Sequence, residues 1–583
     1  MIAKISVTLL LFLCSSPLLA KTLVETAYES GELDLETALI YQVQSLRDPD
    51  ALPDAYRETH NRPLCGTPQL VQALNAIPQL GAAYQQRLGK LVQRRPNRQQ
   101  ESTSPSGRFR LHYDTDGSEA VPSEDLDGNG ISDYIDLAAV ILDSIWVLEI
   151  DQLGYHAPPA DQGLSGDEYD VYFSDLGRGA AYGYTYPEQG GNTTHSYLEL
   201  DNDYTNPVYQ QTKGTDALRV TIAHEFHHAV QFGYYQGTDG VWWQESTSTW
   251  MEEVAYPHID DYLQYLPSFL DVPHRALNSG SRFGSGFHIY GTSIFSHFLD
   301  QHYGRQVNRL IWEELGRRSS AGLEHFDRAL RAVEPGGLSV AISQFAIWNY
   351  FTGPRFREEF YAEGFKYPTV PTRDIALSEN IAVRDSSDLD ATGSDYLRFA
   401  PQLRSGGITF TFDARRGDYS RHLLLIGPKG VEVRTIDEST VRVVGWDQYD
   451  EVVFLISSTE DAGFAYDYLY EVEFDPDLTD APPALATALR PNYPNPFHPS
   501  EHQKTRLIFD LVSPSAETRL SIFSTTGDLI WQRDLGSRSA REGHAVAWDG
   551  RNFNGKLVGT GVYHVLLETD GQQTMRSLAV VRD

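Results

Sequence analysis

Apolar residues recur three and four apart in two early stretches, ELDLETALIYQVQSL (Glu32 to Leu46) and LVQALNAIPQLGAAYQQRLGKLV (Leu70 to Val92), and this spacing predicts amphipathic helices. The run QRRPNRQQESTSPSG (Gln93 to Gly107) offers nothing to bury and reads as an exposed linker. Beyond it, RFRLHY, YDVYF and SYLELD (Ser196 to Asp201) predict strands, and a mainly helical pattern then continues to about Phe365. From about Pro371 to Asp475 the pattern changes to short alternating runs, ITFTFDA, RHLLLIG, TVRVVGW and EVVFLISS, as in a β-sandwich. After a second linker, DPDLTDAPPA, the tail alternates again in TRLSIF, HAVAWDG, GVYHVLLETDG and RSLAVV, with Asn554-Gly555 as a turn signal. It reads as a small Ig-like module. The patterns divide the chain into a leader at 1–20, a helical N-terminal region with its linker at 21–105, a mixed α+β domain at 106–370, a β-sandwich at 371–480 and the Ig-like module at 481–583.

The leader carries Lys4, an apolar run from Ile5 to Leu13 and then Ser-Ser-Pro-Leu-Leu-Ala, which are the three parts of a secretory signal. Cys14 leaves with it. No later stretch approaches the roughly 20 apolar residues that span a bilayer, so no transmembrane anchor is expected. With 47 basic against 80 acidic residues the formal charge is -33, which argues against nucleic acid as a partner and fits an exported protein with acidic, calcium-holding loops. Cys65 is then the only cysteine of the exported chain and has no intrachain partner.

The chemistry concentrates in TIAHEFHHAVQFGYY (Thr221 to Tyr235). His224 and His228 are four apart, so on a helix they share one face about 6 Å apart along the axis, and both imidazoles can bind one zinc. Glu225 follows the first of them and is placed to act as general base on a metal-activated water. His227 has no metal role in this reading. A third ligand is offered by VWWQESTSTWMEEVAY (Val241 to Tyr256), where Glu245 lies 17 residues beyond His228 and Glu252 falls on the same helix face two turns later.

Trp242-Trp243-Gln244-Glu245, with Glu252 after it, resembles the stretch in which zinc aminopeptidases of the gluzincin type carry their third ligand and a following Glu. That resemblance implies Glu245 as zinc ligand and Glu252 as the residue that orients a histidine. RFGSGFHIYGTSIFSHFLDQHYG (Arg282 to Gly304) is similar to the segment where the same enzymes hold a catalytic tyrosine, and Tyr290 takes that place as donor to an oxyanion. Core packing is the alternative role for Tyr290. Gly284, Ser285 and Gly286 would let that loop close over substrate. The Gly-x-Met-Glu-Asn loop that grips a free α-amine is absent, which favours an endopeptidase, with Ser196 to Asp201 expected to pair with an extended substrate as an added strand.

DLDGNGISDYID places Asp125, Asp127, Asn129, Asp133 and Asp136 at positions 1, 3, 5, 9 and 12 of a calcium loop, with Gly130 at the turn and Ile131 ligating through its carbonyl. Its final Asp resembles dockerin-like structural sites. Cys65, in NRPLCGTPQL, resembles the cysteine switch of matrix metalloprotease propeptides, in which a thiolate holds the metal's open position until the pro-segment is cut. An inert buried cysteine is the other reading.

AVPSEDLDGNGISDYID, YDVYFSDLG, AHEFHHAVQFGYY and WWQESTSTWMEEVAYP together resemble a family of secreted bacterial metalloproteases over roughly Arg108 to Phe365. The tail, in NYPNPFHPS, WDGRNFNGKLVGTGVYHVLL and MRSLAVVRD, is similar to flagellar-hook-cap type Ig-like modules and to C-terminal sorting domains of type IX secretion. The fold class these resemblances imply is multidomain: an α+β gluzincin-like domain with a mixed-sheet and a helical subdomain, then a β-sandwich, then the Ig-like module. The function they imply is a secreted or surface-held bacterial zinc endopeptidase with structural calcium, acting on protein or peptide and engaging secretion machinery or the cell surface through its tail. A zinc exopeptidase or other hydrolase on the same ligands, and an inactive surface-binding protein, remain the alternatives.

Overall fold

The computed structural model describes residues 22–57, 65–92, 95–160, 166–179, 181–280, 286–318, 320–377, 382–400, 405–478, 487–490, 492, 494–500 and 504–582. The leader and the loop residues Gly284 and Ser285 lie outside them. The protein is multidomain and mixed α/β, with several sheets and a helical region, and it divides into two compact units, Met1–Asp477 and Leu478–Asp583.

Four helices open the first unit: α1 (Leu23–Glu29), α2 (Leu35–Arg47), α3 (Thr67–Asn75) and α4 (Ala82–Val92). The Thr22 and Asp34 side chains accept the first free amides of α1 and α2, from Glu25 and Thr37 at 3.1 and 2.7 Å. A five-stranded sheet follows, made of β1 (Gln100–Thr103), β2 (Phe109–Tyr113), β3 (Tyr169–Ser174), β4 (Gly183–Pro187) and β5 (Ser196–Asp201), in the spatial order β1-β2-β3-β5-β4. β2, β3 and β5 run parallel, while β1 and β4 are antiparallel to their neighbours.

The expected linker at 93–107 is therefore only partly a linker. Its second half pairs with β2, Arg95 bridges Asp170 and Glu188 at 2.5 and 2.8 Å, and Arg98 bridges Asp114 at 3.2 Å. A polar run reads as unburied from composition, but here its arginines find carboxylates on distant strands, so the sheet starts before residue 106.

Alternation along the strands gives the sheet two faces. Val171, Phe173, Leu198 and Leu200 point into the main core. Tyr172, Tyr184, Tyr186 and Tyr197 point the other way, into a second core shared with Leu39, Val43, Leu70, Tyr84 and Leu88 of α2 to α4. The main core is built with α5 (Asp133–Trp146), α6 (Gly214–Gln231), α7 (Val241–Ala255), α8 (Pro267–Leu270), α9 (His288–Gly291), α10 (Ser293–Tyr303), α11 (Gln306–Gly316), α12 (Leu323–Leu330) and α13 (Gly337–Tyr350).

The 371–480 region forms two facing sheets. One, in the order β11-β10-β13-β8-β6, contains β6 (Arg373–Asp374), β8 (Ser394–Phe399), β10 (Tyr419–Gly427), β11 (Gly430–Thr435) and β13 (Glu451–Ser458). The other, in the order β12-β9-β14-β7, contains β7 (Val383–Leu389), β9 (Gly407–Ala414), β12 (Thr440–Val444) and β14 (Tyr466–Asp475). Leu423, Val452, Phe454 and Ile456 fill the space between them. Tyr396, Leu424, Val453 and Leu455 face outward and join the helical core, so no break in the core falls at residue 370.

The second unit carries β15 (Ala488–Leu489), β16 (Thr505–Leu511), β17 (Ser515–Ser524), β18 (Leu529–Arg538), β19 (Arg541–Trp548), β20 (Gly561–Thr569) and β21 (Gln572–Val580). They form sheets ordered β15-β16-β19 and β18-β17-β20-β21 around Phe497, Phe509, Leu520, Trp548 and Leu578. Among the described residues no helix is long and apolar enough to cross a membrane.

Candidate metal centre

α6 is buried along most of its length, so its polar residues have to be satisfied inside the protein. His224 faces Glu252, while Gln231 faces Gln244, Thr247 and Ser248, so α7 runs back antiparallel along α6. The interval between His228 and Glu245 is taken up by the end of α6 at Gln231 and the start of α7 at Val241.

Three side chains from these helices and one from the N-terminal region converge. The Nε2 atoms of His224 and His228 are 3.2 Å apart, and each lies 3.2 Å from a Glu245 carboxylate oxygen. Cys65 Sγ is 3.5 Å from His228 Nε2, and ligand atoms of all four residues fit within 4.8 Å of one another. The outer ring nitrogens are tied back, His224 Nδ1 to Glu252 at 2.6 Å and His228 Nδ1 to the Gln231 carbonyl oxygen at 2.8 Å. Gln231 donates from its own amide to the Gln244 carbonyl at 2.9 Å, which fixes its orientation. Both imidazoles thus present Nε2 inward. His227 turns away and binds Glu149 at 2.6 Å.

Four groups able to offer an electron pair face one another here, and the buried Glu245 oxygens meet the two imidazole Nε2 atoms and nothing nearer among the described residues. Burial disfavours charge on Glu245, yet the two imidazoles hold its pKa down to about 2. Burial likewise opposes charge on His224, but hydrogen bonds to Cys65, Glu245 and Glu252 hold it well above the ordinary imidazole range. Burial, with the Glu225 and Glu245 charges beside it, pushes the Cys65 thiol well up. The arrangement needs positive charge at its centre. Two imidazoles, a carboxylate and a thiol in a compact group suit zinc.

Glu225 lies beside this cluster. Its Oε2 accepts hydrogen bonds from the hydroxyls of Thr185 at 2.7 Å and Thr67 at 3.2 Å. Tyr290 stacks near His224, and its hydroxyl donates to the Cys65 carbonyl at 3.4 Å. Cys65 itself is bridged in parallel to Gly183 at the start of β4. The segment is closely fitted, since a Cβ on Gly66 would come within 2.3 Å of the Tyr184 ring, and one on Gly183 within 2.9 Å of Glu225 Cγ.

The strand expected to receive substrate is corrected. Ser196 to Asp201 is paired on both sides, by β3 and β4, and has no free edge to offer. The edge strands are β1 and β4, and β4 is the one beside the metal cluster, through the bridge of Cys65 to Gly183. The position of β4 outside β5 is a matter of strand order, which local sequence does not carry.

The structure brings together His224, Glu225, His228, Glu245, Glu252, Tyr290 and Cys65. Thr67, Thr185, Gln231 and Ser248 join them without having been singled out from sequence. Gln231 had a signal, since it lies three residues after His228 on the same helix. Thr185 had none.

In the acidic loop, carboxylate oxygens of Asp125, Asp127 and Asp133 come within 4.8 Å of one another, and Gly130 adopts φ +85° at the turn. Asn129 donates from its amide to Asp136 at 2.9 Å. Ile131 donates its backbone N–H to Asn129 at 2.7 Å. Ser132 caps α5, so the loop leads directly into the helix that packs on α6.

No protein-family model matches this chain, and no curated protein does. Among solved structures, PorZ of Porphyromonas gingivalis, a surface component of the type-IX secretion system, overlaps at 16% identity over 27% of this chain and 22% of its own, with a TM-score of 0.14. Latent PorU of the same organism overlaps at 12% identity over 37% and 21%, with a TM-score of 0.17. The periplasmic lysozyme inhibitor PliG of Salmonella Typhimurium overlaps at 8% identity over 18% and 99%, with a TM-score of 0.14. The chain thus spans about a fifth of the length of PorZ and of PorU, and overlaps this slight bear on neither its fold nor its activity.

Proposed function

We propose that the chain is a secreted zinc endopeptidase of the gluzincin type, held latent by its own N-terminal region. The observation that carries this reading is the convergence of His224, His228 and Glu245 with Cys65 within 4.8 Å, beside Glu225 and Tyr290. His224, His228 and Glu245 would hold the zinc, and Cys65 would occupy its remaining position. Zinc supplies a Lewis acid that polarises a carbonyl and makes water nucleophilic near neutral pH.

Around it each residue has a defined task. Glu225 takes the proton of the attacking water as its oxygen bonds to the peptide carbon, and returns a proton to the amine as the C–N bond breaks. Tyr290 donates its hydroxyl to the carbonyl oxygen as charge develops there. That hydroxyl donates to the Cys65 carbonyl, which in this reading stands where a substrate carbonyl would bind. β4 lines up extended substrate along its edge. The chain lacks the Gly-x-Met-Glu-Asn loop that grips a free α-amine, which favours endopeptidase over exopeptidase.

The test is metal content. Elemental analysis of the purified full chain is expected to give about one zinc per molecule, and Glu245→Ala to weaken zinc binding by at least the roughly 10- to 100-fold typical of losing an outer partner. A chain that takes up no zinc would end this proposal. For the acidic loop we propose structural calcium on Asp125, Asp127, Asn129, Asp133, Asp136 and the Ile131 carbonyl. Saturating calcium is expected to raise the first melting transition by roughly 5 °C in scanning calorimetry. Asp127→Ala should remove most of that rise, and an equal rise in the variant would place calcium elsewhere. The second unit serves export or surface attachment in this reading.

A further inference from the structure

Beside His224 and Glu225 lies a small cavity whose walls also include Cys65. It therefore adjoins the backbone that fills the cleft. Two carboxylates face it, Glu252 from α7 and Asp261 from the short helical turn that follows. Tyr182 and Tyr265 supply aromatic walls, and among the described residues no lysine or arginine lines it.

Among the described residues neither carboxylate has a lysine or arginine partner, and Glu252 pairs with His224. Asp261 accepts hydrogen bonds from the hydroxyls of Thr212 and Tyr265, and among the described residues no lysine or arginine bridges it. Glu252 spends Oε1 on His224, while its Oε2 is buried, faces no donor and belongs to a residue only 5% exposed. A cavity walled by Asp261 and the unpaired oxygen of Glu252 penalises an apolar occupant, which would leave these buried oxygens without a donor. It rewards a cation on a long stem, which pairs with the carboxylates while tyrosine faces flank it.

We infer that this cavity is the specificity pocket for a residue next to the bond that is cut, and that it takes lysine or arginine. The inference rests on the endopeptidase reading and adds the substrate class to it. Asp261 is the specificity-determining residue, because Glu252 is also engaged in holding His224.

The experiment is a cleavage-site profile. The zinc-loaded full chain carrying Cys65→Ser is incubated with a mixed peptide library, and the cuts are read by mass spectrometry beside those of the same chain with Asp261→Asn added. The expected result is lysine or arginine enriched at one position flanking the cut, with the basic-over-apolar ratio falling by at least about tenfold in the Asp261→Asn chain. Cuts flanked by apolar residues, or by no preferred residue, overturn the pocket assignment and leave the endopeptidase reading standing. A library left uncut, or cut equally by a Glu225→Gln chain, overturns both. If Asp261→Asn fails to fold, the profile of the Cys65→Ser chain alone still decides.

Discussion

In a chain already freed by Cys65→Ser, Glu225→Gln lowers hydrolysis of a blocked internal peptide by about 10²- to 10⁴-fold, the range that a positioned general base contributes. Zinc content stays at the level of the parent. The substitution keeps shape and an amide oxygen that still accepts from Thr67 and Thr185, so the local hydrogen bonds of α6 survive. What disappears is the ability to take and return a proton. Peptide hydrolysis and elemental analysis on the same preparations separate the outcomes. Lost activity with zinc retained assigns the proton transfer to Glu225, whereas unchanged activity would place the base elsewhere.

The second large effect concerns latency. Unprocessed Cys65→Ser chain is expected to degrade casein about 10- to 100-fold faster than the unprocessed parent, equivalent to about 1.4–2.8 kcal/mol. A thiolate is a far better zinc ligand than a serine hydroxyl. The gain is limited because other contacts of the segment persist: Thr67 still reaches Glu225, and the bridge to Gly183 is backbone. Adding Thr67→Ala should raise the rate further. A Cys65→Ser chain no faster than its parent would reduce Cys65 to a buried cysteine with no regulatory part, and one that also leaves every peptide uncut would end the endopeptidase reading with it.

Part of this arrangement is legible in the sequence, for a simple reason. His224 and His228 share a face through the helical repeat alone, and an interval of 17 residues to Glu245 leaves room for one helix to end and another to return. Glu252 follows by the same repeat, two turns further. The calcium-loop pattern is likewise local, with every named carboxylate inside twelve residues.

What sequence withholds is long-range. β4 follows β3 in the chain but lies beyond β5 in space, so the free edge cannot be read from GYTYP. Arg95 and Arg98 look solvated until Asp170, Glu188 and Asp114 are brought to them by the sheet. Asp261 carries no motif, and its importance comes from the cavity it lines. The sandwich strands are visible from alternation, but their outward row of Tyr396, Leu424, Val453 and Leu455 reads as solvent-facing until the helices cover it.

The second core, where Leu39, Val43, Leu70 and Leu88 meet Tyr172, Tyr184, Tyr186 and Tyr197, has a consequence for the proposed latency. One cut between α4 and the sheet does not by itself empty the cleft, because the released piece stays bound through that core. The cut turns a tethered plug, present at a millimolar-scale local concentration, into a separate inhibitor governed by mass action. Full activity then waits for dilution. In the secreted-enzyme proposal the piece would diffuse away outside the cell and rebind in the crowded space before export, so the same bond could be cut early and activity still released late.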